Sequence, residues 1–141
     1  VTSIGNSAFM GCKKLDNVKI PDSVTSIGTY TFSGCSGLTS INLSNSIKSI
    51  NEWALAGCSS LTNITIPDNV VVIQKYAFIG CSSLTSIDIP NNVLSIKLGA
   101  FRECSKLANL TIGNSVEIIE ADAFWRCDSL KKLTIKITEE Q

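Results

Sequence analysis

Read for its apolar positions alone, the chain repeats every 23 residues from one end to the other. Val1, Val24, Ile47, Val70, Val93 and Val116 form the first column, and the fourth is isoleucine from Ile4 to Ile119. The eighth and ninth pair a small residue with a large one: Ala8-Phe9, Thr31-Phe32, Ala54-Leu55, Ala77-Phe78, Ala100-Phe101 and Ala123-Phe124. Cysteine follows at 12, 35, 58, 81, 104 and 127, and leucine three residues after each. Two alternating apolar positions, Val18 and Ile20 in the first repeat and Leu133 and Ile135 in the last, complete the set. Of these 48 positions 47 are apolar, with Thr31 the exception.

The pattern predicts the elements of each repeat. Leu-x-x-Ile-x-Ile, as at Leu61 to Ile66, ends in the alternation of a strand buried on one face. Pro67-Asp68-Asn69 is turn chemistry. Val-x-x-Ile is a second short extended piece, and Ala-Phe-x-Gly-Cys, as at Ala77 to Cys81, reads as a helical or 3₁₀ turn closing the coil. One such coil cannot bury its apolar edge, whereas stacked coils bury one another. The expected fold is therefore an α/β-type solenoid. Its repeats are 1–23, 24–46, 47–69, 70–92, 93–115 and 116–138, followed by a tail at 139–141. A parallel sheet lies on one face, with the turns and second extended segments on the other. At ~4.8 Å per strand, six coils span about 24 Å.

Composition narrows the function. Twelve basic and twelve acidic residues give no net charge, which argues against electrostatic binding of nucleic acid. The longest apolar run, Val70 to Ile73, is far short of the ~20 residues of a membrane span, so no membrane insertion is expected. With no histidine, the chain has no Ser-His or Cys-His nucleophile pair and no His-ligated metal site. No acid–base pair or phosphate loop stands out, and no catalytic residue, metal or cofactor is assigned. Starting at Val1 with no initiator Met, the sequence reads as a processed product or a fragment of a longer protein.

The unit Cys58-Ser59-Ser60-Leu61-Thr62-Asn63-Ile64-Thr65-Ile66-Pro67-Asp68-Asn69-Val70, with Ala-Phe-x-Gly-Cys at Ala77 to Cys81, resembles the BspA-like (Treponema-type) leucine-rich repeat. The resemblance covers essentially the whole chain. Departures are local: Leu55 for phenylalanine, Glu103 and Arg126 for glycine, and Ser44, Gly113 and Lys136 for proline. It implies a non-catalytic binding solenoid on a surface or secreted protein. Proteins of this kind are associated with adhesion to host matrix and with contacts between cells. Fold alone does not name the ligand, and protein and glycan both stay open.

Three groups of residues are candidates. The six cysteines, Cys12, Cys35, Cys58, Cys81, Cys104 and Cys127, should form an inward ladder of free thiols. Side chains pointing in parallel rarely meet disulfide geometry, and a 23-residue spacing lacks the close pairs of zinc sites. The polar strand face, including Asn17, Ser40, Asn63, Ser86 and Asn109, is either a solvated surface or a recognition surface. It has no aromatic or arginine anchor, so any affinity there would be weak or multivalent. Three Asn-x-Ser/Thr triplets, at Asn42, Asn63 and Asn109, are glycosylation acceptors only in a eukaryotic secreted protein. The seventh column places Tyr30, Trp53 and Tyr76 in consecutive coils, flanked by Ser7, Gly99 and Asp122. It should face outward, either covering the turn or marking a contact.

Charge is uneven along the coils. The last repeat and tail hold 10 of the 24 charged residues, and Lys131, Lys132, Lys136, Glu139 and Glu140 read as a C-terminal cap. Nothing comparable precedes Val1. That end is expected to continue N-terminally or to pair with another chain. The alternative to a ligand-binding module is a structural spacer or self-associating segment whose ligand site lies elsewhere.

Overall fold

The computed structural model describes residues 1–137. The tail at 139–141, with Glu139 and Glu140 of the expected cap, lies outside them. Every strand pair is parallel and offset by one repeat, from Ser3↔Ser26 to Ile135↔Ile112. On the longer-stranded face lie β2 (Asn17–Lys19), β4 (Ser40–Asn42), β7 (Ser86–Ile89), β9 (Asn109–Ile112) and β11 (Lys132–Ile135). The opposite stack holds two-residue strands: β1 (Ser3–Ile4), β3 (Ser26–Ile27), β5 (Ser49–Ile50), β6 (Val72–Ile73), β8 (Ser95–Ile96) and β10 (Ile118–Ile119). Between them runs one apolar core in which Phe32, Phe78, Phe101, Leu38, Leu61 and Leu84 are fully buried. Buried Thr31 fits because its single hydroxyl proton has Gly28 O (2.8 Å) as acceptor, with Gly5 O (3.1 Å) also within reach.

The expected helical or 3₁₀ turns do not form: no residue described is helical. The reason is visible in the hydrogen bonds. Ser7, Phe9 and Gly11 donate to Thr29 O, Thr31 O and Ser33 O of the next coil, at 2.8, 2.8 and 2.7 Å. The alternate donors Met10 and Cys12 close turns onto Ser7 O and Phe9 O. A helix needs every donor for its own chain, and here every second one is committed to a neighbour. The left-handed backbone at the seventh position (φ 58 to 60°) and at the eleventh (φ 62 to 74°) also breaks any helical run. Equivalent bonds cross all five junctions, up to Gly99 N to Ala121 O, Phe101 N to Ala123 O and Glu103 N to Trp125 O. This turn ladder is the continuous spine of the solenoid.

The strand face is not continuous. Its sheets are β2-β4 and β7-β9-β11, and the coil-3 segment between them joins neither. The gap falls where proline stands, although the bond that proline cannot make is formed at only one of the paired junctions. Lys136 N bonds Ile112 O of the preceding coil at 2.9 Å, and a proline at this repeat position has no N–H to give. The position is Ser44, Gly113 or Lys136 at the three junctions whose strands pair, and Pro67 or Pro90 at the two that stay open. The short-strand stack breaks once, between β3 and β5. There the Asn51 side chain takes Ile27 O at 2.6 Å, and a small void sits beside Leu55, where five coils have phenylalanine.

At both ends of the described chain the apolar columns are open. Val1, Leu133 (54% exposed) and Ile135 (60% exposed) face solvent, and Lys131, Lys132 and Lys136 of the expected charged cap are exposed beside the last of them.

Candidate functional site

The seventh-column aromatics come together. The Tyr30 and Trp53 rings stack with centroids 5.5 Å apart and planes 8° from parallel; Trp53 and Tyr76 are 4.7 Å apart and tilted by 33°. Left-handed φ at every member of the column swings these side chains off the core and onto the flank of the turn ladder. They are less exposed than the outward reading expected: Tyr30 is 36% exposed, and Trp53 and Tyr76 are half-buried. The stack ends on Gly99, against whose backbone the Tyr76 ring lies. Because each ring face covers the next ring, the strip offers solvent mainly its ring edges.

The polar strand face is exposed as expected, but divided. Asn17 and Ser40 sit in register in the first sheet, with Ser40 Oγ donating to Asn17 Oδ1 at 2.8 Å. Ser86 and Asn109 pair in the second. Asn63 lies alone in the open coil-3 segment, and Asn42, the remaining glycosylation triplet besides Asn63 and Asn109, is exposed on β4.

All six cysteines are free thiols, but only Cys35, Cys58, Cys81 and Cys104 are buried. Cys12 is exposed and Cys127 half-buried, each lacking a stacked coil on one side. Their packing role comes with a hydrogen bond that column reading did not anticipate. Five of the thiols donate to the ninth-column carbonyl of the preceding coil: Cys35 to Phe9 O, Cys58 to Phe32 O, Cys81 to Leu55 O, Cys104 to Phe78 O and Cys127 to Phe101 O, all at 3.2 to 3.3 Å. Burial pushes Cys58 up to about 12 and Cys127 up to about 11, and raises Cys35, Cys81 and Cys104 as well. Such thiols are donors, not thiolate nucleophiles. Among the described residues no three acidic, cysteine or histidine side chains gather around a metal position.

One cluster escaped the sequence reading. The Arg102 and Arg126 guanidiniums lie 4.3 and 4.8 Å from the centroid of Trp125, and Arg102 Nε is 3.8 Å from Glu103. Glu103 and Arg126 hold left-handed φ of 63° and 62° where the four preceding coils use glycine. The available signal was this paired loss of glycine beside arginine and tryptophan.

The model of the BspA type leucine-rich repeat region matches in six copies over residues 2–137. A solved leucine-rich repeat protein of Treponema pallidum is 35% identical with a TM-score of 0.92, over 95% of this chain and 63% of that one. A leucine-rich cell surface protein of Faecalibacterium prausnitzii is 33% identical with a TM-score of 0.74, over 98% of this chain and 30% of that one. A leucine-rich repeat protein of Eubacterium ventriosum is 29% identical with a TM-score of 0.83, over 100% of this chain and 36% of that one. The chain thus spans under two thirds of each of these structures. No curated protein matches it.

Proposed function

The chain belongs to the BspA type leucine-rich repeat family, and we propose that it is a non-catalytic protein-binding module of a surface protein that acts in adhesion. The carrying observation is the stacked strip of Tyr30, Trp53 and Tyr76 on the flank of the turn ladder. Tryptophan and tyrosine are the residues that most often dominate protein interfaces. Half-burial against a rigid ladder means little side-chain freedom is lost on binding. A sugar ring needs a free aromatic face to stack on, and mutual stacking with the Gly99 backbone leaves only the outer face of Tyr30 open, so the strip favours a protein ligand over a glycan. The cell surface protein of Faecalibacterium prausnitzii is consistent with such a location.

The test is a binding screen of the chain against matrix proteins and glycans, run beside the Trp53→Ala/Tyr76→Ala double variant. Capture of a matrix protein, weakened at least tenfold by the double variant, is the expected result. Unchanged binding would sink the proposal. A mass that rises with concentration, with no ligand captured, would favour the self-associating spacer.

A further inference from the structure

We infer that the junction between coils 2 and 3 is a hinge, at which the coils before it part from those after it, and that the Asn51 side chain sets it. Among the described residues, the main-chain bonds across this junction are those of the turn ladder alone: Tyr30 N to Glu52 O (3.1 Å), Phe32 N to Ala54 O (2.8 Å) and Gly34 N to Ala56 O (2.7 Å). Each of the other four junctions has the equivalent three ladder bonds, at least three more main-chain bonds beside them and at least one strand pair. Between coils 2 and 3 both strand stacks are interrupted: β3 and β5 do not pair, nor do β4 and the coil-3 segment.

Asn51 explains the break in the short-strand stack. At the fifth repeat position the main-chain N–H bonds the coil before it: Gly28 N to Ile4 O, Gln74 N to Ile50 O, Lys97 N to Ile73 O and Glu120 N to Ile96 O, at 2.8 to 2.9 Å. Asn51 instead sends its side-chain amide to Ile27 O (2.6 Å), with Ser49 Oγ donating to Asn51 Oδ1 (2.9 Å). A short amide side chain here competes with its own backbone for one carbonyl and takes it. The interior is weakened at the same place. The void beside Leu55 is lined from both coils, by Ile27, Phe32 and Leu43 on one side and Ile50, Ala54 and Leu55 on the other, and no phenylalanine stack crosses it. What remains keeps the closed coils at ordinary spacing: side-chain bonds from Ser60 to Ser36 O and from Asn69 to Asn45 O, the Cys58 thiol on Phe32 O, and the stack of Tyr30 on Trp53. In a solenoid each coil holds only its neighbours, so the junction with the fewest bonds is the first to open. The hinge divides the aromatic strip, with Tyr30 before it and Trp53 and Tyr76 after it. A partner covering Tyr30 and Trp53 together would hold the junction shut. That consequence rests on the strip being the contact, whereas the hinge itself does not.

The test is amide hydrogen exchange of the whole native chain, with protection read residue by residue. Tyr30, Phe32 and Gly34 should be at least tenfold less protected than the equivalent Trp53, Leu55 and Gly57 or Tyr76, Phe78 and Gly80. They should also be no better protected than Ser7, Phe9 and Gly11, whose bonds cross the well-paired first junction. Asn51→Lys, which carries the residue of coil 5, should free Ile27 O for the main chain and raise protection of Tyr30, Phe32 and Gly34 at least threefold, leaving coil 4 unchanged. Tyr30→Ala, which removes the stack across the junction, should lower protection of Phe32 and Gly34 only. Equal protection on the two sides of the junction would overturn the inference. So would protection that climbs in steps from coil 1 through coil 2 to coil 3, the signature of fraying from an end. A folded Asn51→Lys chain that protects the three amides no better would remove Asn51 from its role. If that variant does not fold, Leu55→Phe decides: filling the void of the same junction should protect the same three amides, and no gain refutes the hinge.

Discussion

The Tyr76 ring lies against the backbone of Gly99 so closely that a methyl group on Gly99 would come 2.5 Å from Tyr76 Cε1. Gly99 also holds a left-handed φ of 59°, where its three preceding equivalents are aromatic. The glycine is what lets the stack end on backbone. Gly99→Ala should therefore push Tyr76 off its position and loosen its packing on Trp53. The expected readouts are a shift in Trp53 fluorescence and a loss of about 1–2 kcal/mol in denaturant unfolding. An unshifted spectrum would show that the ring tolerates the methyl.

Leu55 interrupts the phenylalanine column. Phe9 stacks on Phe32 at 5.5 Å, Phe78 on Phe101 at 4.9 Å and Phe101 on Phe124 at 5.3 Å, while the void beside Leu55 adjoins Phe32 and Ile50. Leu55→Phe should fill that space and join the two stacks, raising stability by on the order of 1 kcal/mol. A lower melting temperature would mean that the added ring overpacks the site.

Glu103 keeps a left-handed backbone at the cost of a side chain clash that glycine avoids. Glu103→Gly should stabilise the chain by about 0.5–1 kcal/mol, the relief being partly offset by the greater freedom of glycine in the unfolded state. Equilibrium unfolding of the single variant checks the sign.

The buried thiols predict how stability responds to alkali. Their folded pKa values lie above the unfolded value of 9.0, with Cys58 at about 12 and Cys127 at about 11. Above pH 9 the unfolded chain releases thiol protons that the folded chain retains, so the unfolded state gains. This contribution is complete below about pH 9. It then falls, by up to ~1.4 kcal/mol per pH unit for each such thiol, until the pH passes the folded values. Urea midpoints should be unaffected by these groups below pH 9 and drop steeply above it. A thiol reagent should label exposed Cys12 first and spare Cys81 until unfolding.

The fold was largely legible because the period is. A 23-residue unit stacked on itself buries its isoleucine, leucine and cysteine columns in one register only, and every observed strand pair keeps that offset. The candidate site was legible in part. Tyr30, Trp53 and Tyr76 could be placed in one column, but not seen to cover one another's faces. Arg102, Trp125 and Arg126 were hidden because columns show likeness between coils, and this cluster consists of departures from it.

Linear order was thus enough for the repeat, its register and its core, since these follow from burying identical apolar edges against each other. Stacking alone decided the rest. A short Ala-Phe-x-Gly-Cys run is a helical turn only if its N–H groups stay in their own chain, and neighbouring coils claim half of them. Pro67 and Pro90 read as ordinary turn residues along the chain. That they stand at the two junctions where the strand face opens and leaves 63–66 unpaired appears only in the stacked coils.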